Sequence, residues 1–201
     1  MVAILDYDAG NVRSVEKAFR FLGSDVITTR NSHDIARADH VVLPGVGSFG
    51  DAMSKLNEFK LVDVIRKTIE SDIPFMGICL GLQLLFDSSE ESEGVDGLGI
   101  FRGKIKRIPN INDIKVPQIG WNNLSYPNKG RLFKNIPEQS YVYFVHSYYL
   151  DSADKSIVTA TTTYGALIEA SVEKNNVFAC QFHPEKSQDV GLQILKNFLE
   201  V

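Results

Sequence analysis

"PFMGICLGLQLLF", residues 74–86, decides the fold. Residues 74–79 are an apolar run with strand character, and from Leu80 onward the spacing becomes helical without an intervening loop. One cysteine, Cys79, stands at the junction, with Gly77 two residues before it and Gly81 two residues after. A nucleophile on a sharp turn between a strand and a helix must take a strained backbone conformation, and small neighbours two residues away on each side relieve the crowding. The same turn sets the sulfur at a helix N-terminus, where unpaired N–H groups favour a thiolate. A free cysteine taken alone is more often a small buried hydrophobe. That is the role expected for Cys180 in the apolar strand "VFACQF"; the elbow spacing reverses it for Cys79.

Working outward, the first 90 residues alternate apolar runs with helical periodicity. "VAILDY" (2–7) reads as a buried strand. Val12, Val15, Ala18, Phe19 and Leu22 then mark one helical face that Gly23 ends. "DVITT" and "HVVLPG" (40–45) are the next strands, followed by helices over roughly 50–57 and 58–70 and the strand "IPFMGIC". Such alternation predicts right-handed crossovers and a parallel sheet covered on both faces, a flavodoxin-like α/β core with flanking helices. After residue 97, β-branched and aromatic runs such as "IFRGKIKRI", "KVPQIGWN", "SYVYFVHSYYL" and "NVFACQF" predict a mixed or antiparallel strand extension in the C-terminal half. A last amphipathic helix carries Leu192, Leu195, Phe198 and Leu199, with Ser187 as its expected N-cap. The acidic "SSEESEG" (88–94) reads as a solvated loop. No linker or repeat divides the chain, so residues 1–201 are expected to form a single domain.

The 201 residues suffice for one sizeable core, and 44% hydrophobic with 23% charged residues excludes disorder and coiled coil. A net charge of −4 gives no basic excess for nucleic acid. No apolar stretch is long enough to span a bilayer, the amino terminus does not read as a signal peptide, and two distant cysteines fit a reducing compartment, so a cytoplasmic location is expected.

A thiol nucleophile for acyl transfer needs a base, a group to orient it and donors for an oxyanion. His33 and His40 lie in polar surroundings and read as surface residues; His146, in "YFVHSYY", reads as a packed, hydrogen-bonded histidine. His183 in "FHPEKS" stands at the end of an apolar strand, where open α/β sheets bind ligands, with Glu185 two residues on to hold its tautomer. In "LPGVGSFGD" (43–51), Gly45 and Gly47 lie between a strand and a helix and form an anion-binding nest. The phosphate-loop reading of that stretch lacks its G-K-[ST] ending. A donor strand for an oxyanion, acting with the Leu80 amide, fits better.

"PGVG", "GICLGLQ" and "HPE", in this order and spacing, resemble the class I, triad-type glutamine amidotransferases over residues 2 to 200. The resemblance implies a single glutamine amidotransferase domain that hydrolyses the side-chain amide of L-glutamine through a thioester on Cys79. His183 would be base and then acid, Glu185 its orienter, Gly47 and Leu80 the oxyanion donors. Gln83 and the main chain at Ser147 and Tyr148 would bind the glutamine α-substituents. No metal or other cofactor is implied. Within the class, "DYDAGNVRSVEKAF", "PQIGWN", "YFVHSYY" and "HPEKSQ" resemble the glutaminase subunits of imidazole glycerol phosphate synthases of histidine biosynthesis. These imply a heterodimer with a (β/α)8-barrel cyclase subunit that receives the ammonia. Asn11, Trp121 and Lys186 would face that partner; a Trp121 buried in its own core and a solvated Lys186 are the alternatives. Asp8 replaces the glycine usual after Asp6-Tyr7.

Other readings of the same residues stay open: a subunit of another class I amidotransferase, a stand-alone cysteine hydrolase or peptidase, and a binding module that keeps the elbow only as fold. A metal site of Cys79, His183 and Glu185 is weakest, since ligand pairs at zinc-finger spacing are missing.

Overall fold

The computed structural model describes residues 1–8, 11–111 and 114–201. Ala9 and Gly10, inside the "DYDAGNVRSVEKAF" stretch, lie outside them. The apolar runs of the first half become β1 (Val2–Leu5), β2 (Val26–Thr29), β3 (His40–Gly45) and β4 (Phe75–Cys79), separated by α1 (Val12–Phe21), α2 (Ser32–Ala36), α3 (Phe49–Glu58) and α4 (Leu61–Glu70). Helix α5 (Leu80–Leu84) follows β4 with no residue between them. Asp8 takes φ 60°, the left-handed region natural to a glycine, and Arg30 holds its carboxylate at 2.6 Å.

The second half supplies β5 (Ser88–Ser89), β6 (Gly103–Arg107), β7 (Gln118–Asn123), β8 (Tyr141–His146), β9 (Tyr148–Ser152), β10 (Val158–Thr163), β11 (Leu167–Lys174), β12 (Val177–Cys180) and α6 (Gln188–Leu199). Seven strands make the main sheet in the order β10-β11-β12-β4-β3-β1-β2. From β12 to β2 the neighbours are parallel, in flavodoxin-like order; β10 and β11 extend the sheet antiparallel, as the change in composition implies. Alternate residues of each strand feed two apolar layers. Leu5, Leu43 and Phe75 pack with Phe49 and Leu56 of α3 on one face; Ile4, Val42 and Met76 pack with Phe19 of α1 and Phe198 of α6 on the other.

Local expectations change in four places. The five-residue α2 has no apolar period to announce it; the Asn31 side chain caps it by accepting the His33 N–H. His40 is half-buried rather than on the surface, with its ring edge-on to Phe198 at 5.1 Å, because α6 folds over the start of β3. "YFVHSYY" is two strands, not one: β8 pairs with β7 and β9 with β6, and the chain changes sheet at Ser147. The acidic 88–94 stretch is not simply solvated. Ser89 is buried, the Glu91 carboxylate accepts the Phe49 N–H at 2.8 Å, and Ser92 Oγ accepts the Gly50 N–H at 3.0 Å. With Ser48 accepting from Asp51, the free N–H groups of the first turn of α3 are satisfied, two of them by this loop. No helix among the described residues is long and apolar enough to cross a membrane.

Candidate active site

The elbow forms as the spacing predicts. Cys79 takes φ 55° and ψ −108°, outside the regions comfortable for a residue with a side chain. Both flanking glycines are enforced by contact. A Cβ at Gly77 would lie 2.7 Å from the Gly81 carbonyl oxygen, and one at Gly81 would lie 1.9 Å from that of Leu43. Helix α5 thereby lies close against both β4 and β3, and Cys79 stands at the carboxyl end of β4.

A cavity of about 300 Å³ opens there, lined by Gly47, Cys79, Leu80, Gln83, Ser147, Tyr148 and His183 among the expected residues, and by Val46, Glu91, Pro117, Val145 and His146 besides. Residues from six separate stretches of the chain meet there. The Tyr7 hydroxyl donates to the Pro44 carbonyl at 2.7 Å and braces the start of "PGVG". Gly45 is held so tightly against Tyr7 and Leu80 that no Cβ fits, whereas Gly47 is open to its surroundings and takes φ 102°. Among the described residues the Val46 and Gly47 N–H groups have no main-chain acceptor, and both residues line the cavity.

His183 and Glu185 sit in a short turn (Pro184–Lys186) just past β12. His183 Nδ1 lies 2.8 Å from Glu185 Oε1, and both side chains are almost wholly buried. Burial alone would disfavour the imidazolium, but the interactions with Cys79 and Glu185 outweigh it and push the His183 pKa up to about 10. Its Nε2 is buried without an oxygen or nitrogen partner among the described residues. His183 lines the same cavity as Cys79, whose interaction helps to hold the imidazolium. The carboxylate–imidazole pair thus sits beside the thiol, and the three together can act as a relay that holds a proton for an incoming group.

Three features had no clear signal in the sequence. Ser187 occupies the N-cap position of α6 but does not cap it; its hydroxyl donates to the His183 carbonyl at 2.6 Å and accepts the Tyr143 N–H at 2.9 Å. The His183 N–H in turn donates to the Tyr143 carbonyl at 2.9 Å, so the turn carrying His183 is fastened to the free edge of β8. Gln181, wholly buried, donates Nε2 to Cys79 Sγ at 3.7 Å. Glu91 reaches the cavity through the loop that caps α3. His146 is packed as expected, with Nδ1 2.8 Å from the Tyr148 carbonyl, and burial lowers its pKa to about 4. It is a neutral strut under the cavity.

Asn11, Trp121 and Lys186 lie outside the cavity. Asn11 precedes α1 and makes no side-chain cap bond. Trp121 is 46% exposed on β7, which removes the buried-core alternative. Its ring meets Tyr143 edge-on at 6.0 Å, and Lys186 Nζ lies 5.9 Å from the same Tyr143 ring. Cys180 is core, wholly buried behind the site. Among the described residues no group of three or more His, Cys, Asp or Glu side chains is placed to hold a metal ion.

A family model described as glutamine amidotransferase class-I matches residues 3–201. The chain is 48% identical over 200 residues to the imidazole glycerol phosphate synthase subunit HisH of Thermosynechococcus vestitus, covering 98% of this chain and 95% of that protein. It is 48% identical to the subunit HisH of Chlorobaculum tepidum over the whole of both chains, and 44% identical to that of Methanocaldococcus jannaschii, again over both chains in full. In fold it matches a glutamine amidotransferase crystal structure with TM-score 0.76 at 19% identity, covering 99% of this chain and 97% of the other. PurLQS from Thermotoga maritima gives the same TM-score, 0.76, at 22% identity and the same coverage of 99% and 97%.

Proposed function

The chain belongs to the class I glutamine amidotransferase family, and from that premise we propose how its residues 1–201, acting as one domain, carry out the family's chemistry. It is the glutaminase subunit of imidazole glycerol phosphate synthase, an enzyme of histidine biosynthesis, and works with a cyclase partner. The observation that carries the assignment of the site is the strained Cys79 on its elbow, sharing one cavity with a His183 that Glu185 holds.

Glutamine enters with its side-chain amide toward the sulfur. The Cys79 thiolate attacks the amide carbon, and the oxygen, now negative, is held by the N–H groups of Gly47 and Leu80. As the C–N bond breaks, the His183 imidazolium gives its proton to the departing nitrogen, which leaves as ammonia. The resulting thioester is attacked by water, whose proton passes to His183, and glutamate departs as the sulfur recovers its charge. Glu185 keeps Nδ1 protonated throughout, so that Nε2 does the proton transfer. At the other end of the substrate, the main chain at Ser147 and Tyr148 receives the α-carboxylate. Gln83 Oε1 and the Glu91 carboxylate receive the α-ammonium. The cavity of about 300 Å³ falls in the range of small-ligand sites.

The ammonia passes to the cyclase, a (β/α)8 barrel, within a heterodimer. Trp121 and Lys186, exposed on either side of the half-buried Tyr143 ring, form an aromatic and cationic row next to the site and, with Asn11, make the docking surface. Enclosing the route keeps ammonia unprotonated until it reacts.

The test is glutamate release by the purified chain, alone and with the cyclase and its nucleotide ligand. Strong stimulation by the liganded partner is expected. Cys79→Ala is expected to lower glutamine hydrolysis by at least about a thousandfold while leaving synthesis from free ammonia intact. Stimulation only by a different synthase would move the chain to another branch of the family.

A further inference from the structure

The buried Gln181 lies outside the relay of Cys79, His183 and Glu185, yet its amide touches the nucleophile. It is 0% exposed, Nε2 lies 3.7 Å from Cys79 Sγ, and Oε1 accepts from Gln83 Nε2 at 3.0 Å. Gln83 Nε2 also donates to the Tyr148 carbonyl at 3.1 Å. The orientation of both amides follows from that one carbonyl. A main-chain oxygen accepts only, so Gln83 must turn its NH2 toward Tyr148, and the second hydrogen of the same NH2 points at Gln181. Gln181 must then present its oxygen to Gln83, which leaves its own NH2 facing the sulfur.

Resting on the glutaminase reading above, we infer that Gln181 is a built-in hydrogen-bond donor to the Cys79 thiolate, set in place by a chain of amides that begins at the substrate-binding main chain. The donor is charge-assisted when the sulfur is ionised and weak when it is a thiol. It therefore stabilises the attacking form and, in the second half of the reaction, the sulfur that leaves the thioester. During acylation the S–C bond forms and the sulfur loses its charge, so the N–H···S bond loosens while the proton balance stays with His183. The chain also fixes what Gln83 offers the substrate. Both of its N–H groups are used, and only Oε1 remains for the cavity.

Gln181→Met keeps the length of the side chain and removes the donor. The readout is the rate at which iodoacetamide alkylates Cys79 near neutral pH, followed by mass spectrometry in the absence of glutamine. This separates the inference from the reading it rests on. A wild-type Cys79 that neither alkylates nor is protected by a glutamine analogue sinks the glutaminase assignment, whereas a reactive Cys79 indifferent to Gln181 sinks only the inference. The expected result is alkylation slowed about tenfold or more, with kcat for glutamine in the liganded complex lowered to match and KM little changed. A raised KM at unchanged kcat and unchanged alkylation would mean that Gln181 serves only to place Gln83, and would overturn the proposal. Complex formation and synthesis from ammonia report whether the variant folds. Should it not fold, the wild-type protein decides the matter by NMR. The Gln181 side-chain NH2 signal, assigned through its contacts with Cys79, is expected to shift when Cys79 is alkylated; a signal that stays in place would refute the donor.

Discussion

A residue held at φ 55° and ψ −108° without being glycine carries backbone strain of about 1–3 kcal/mol, and it persists only where its surroundings leave no alternative. At Cys79 those surroundings are backbone atoms closing in on Gly77 and Gly81. The strain is offset by packing elsewhere, and what it yields is a sulfur projecting from the rim of a buried strand. Glu91 illustrates the opposite economy, since one carboxylate serves two ends. Oε2 accepts the Phe49 N–H at 2.8 Å, while the same carboxylate forms part of the cavity wall. Glu91→Gln keeps an oxygen for Phe49 and removes only the charge. Glutamine KM is therefore expected to rise about tenfold or more with kcat nearly unchanged, as steady-state kinetics of the liganded complex would register. A fall in kcat at constant KM would instead place Glu91 in the chemistry rather than in substrate binding.

Among the elements, β8 joins the exposed surface to His183. One edge of β8 pairs with β7, and the other, at Tyr143, takes the His183 N–H and gives its own N–H to Ser187. Ser187→Ala is expected to lower kcat for glutamine about tenfold while KM holds, because the cavity walls stay and only the seat of His183 loosens; Ser187→Thr should restore most of the loss. The two stability changes should stay near 1–2 kcal/mol, the worth of one or two buried hydrogen bonds, by chemical denaturation. The "FHPEKS" stretch announces the base but not this fastening, since a serine before a helix reads as a cap and nothing local reveals that a distant strand will claim its hydroxyl. The same limit hid Glu91 and Gln181. Their partners lie 42 and 102 residues away, and "SSEESEG" taken alone has the composition of a solvated loop. What was legible rests on local rules: strand-helix alternation for the sheet, glycine spacing for the elbow, a proline-marked strand end for His183 and Glu185. Helix α2 escaped because five residues give no period to read.

For the molecule as a whole, histidines of opposite habit shape how stability varies with pH: burial lowers the pKa of His146 and of the half-buried His40, while that of His183 is raised. His146 is pinned by the Tyr148 carbonyl and lies 3.0 Å from the Gln118 carboxamide, and burial lowers its pKa to about 4 from an ordinary 6.5. Between those values the unfolded chain binds a proton that the folded chain refuses, so stability falls as pH drops from 6.5 toward 4, by about 3 kcal/mol from this residue. His183 runs the other way. Burial opposes its charge, but Cys79 and Glu185 raise its pKa to about 10, so its contribution is complete below pH 6.5 and declines as pH climbs toward 10. Asp151, held low by hydrogen bonds with Lys106 and Lys155, loses its contribution only in more acid solution, below its ordinary 3.8, and leaves the two histidine windows distinct. Urea unfolding at pH 4.5, 6.5 and 9 is therefore expected to place maximum stability near pH 6.5. His146→Gln should lessen the slope of the acid side, leaving the share of His40, and keep the alkaline side as it was; His183→Gln should lessen the alkaline slope instead, with the added loss of glutamine hydrolysis. If the acid side kept its full slope in His146→Gln, the proton taken up on unfolding would belong to His40 and other groups alone, and the neutral strut under the cavity would be the wrong description of His146.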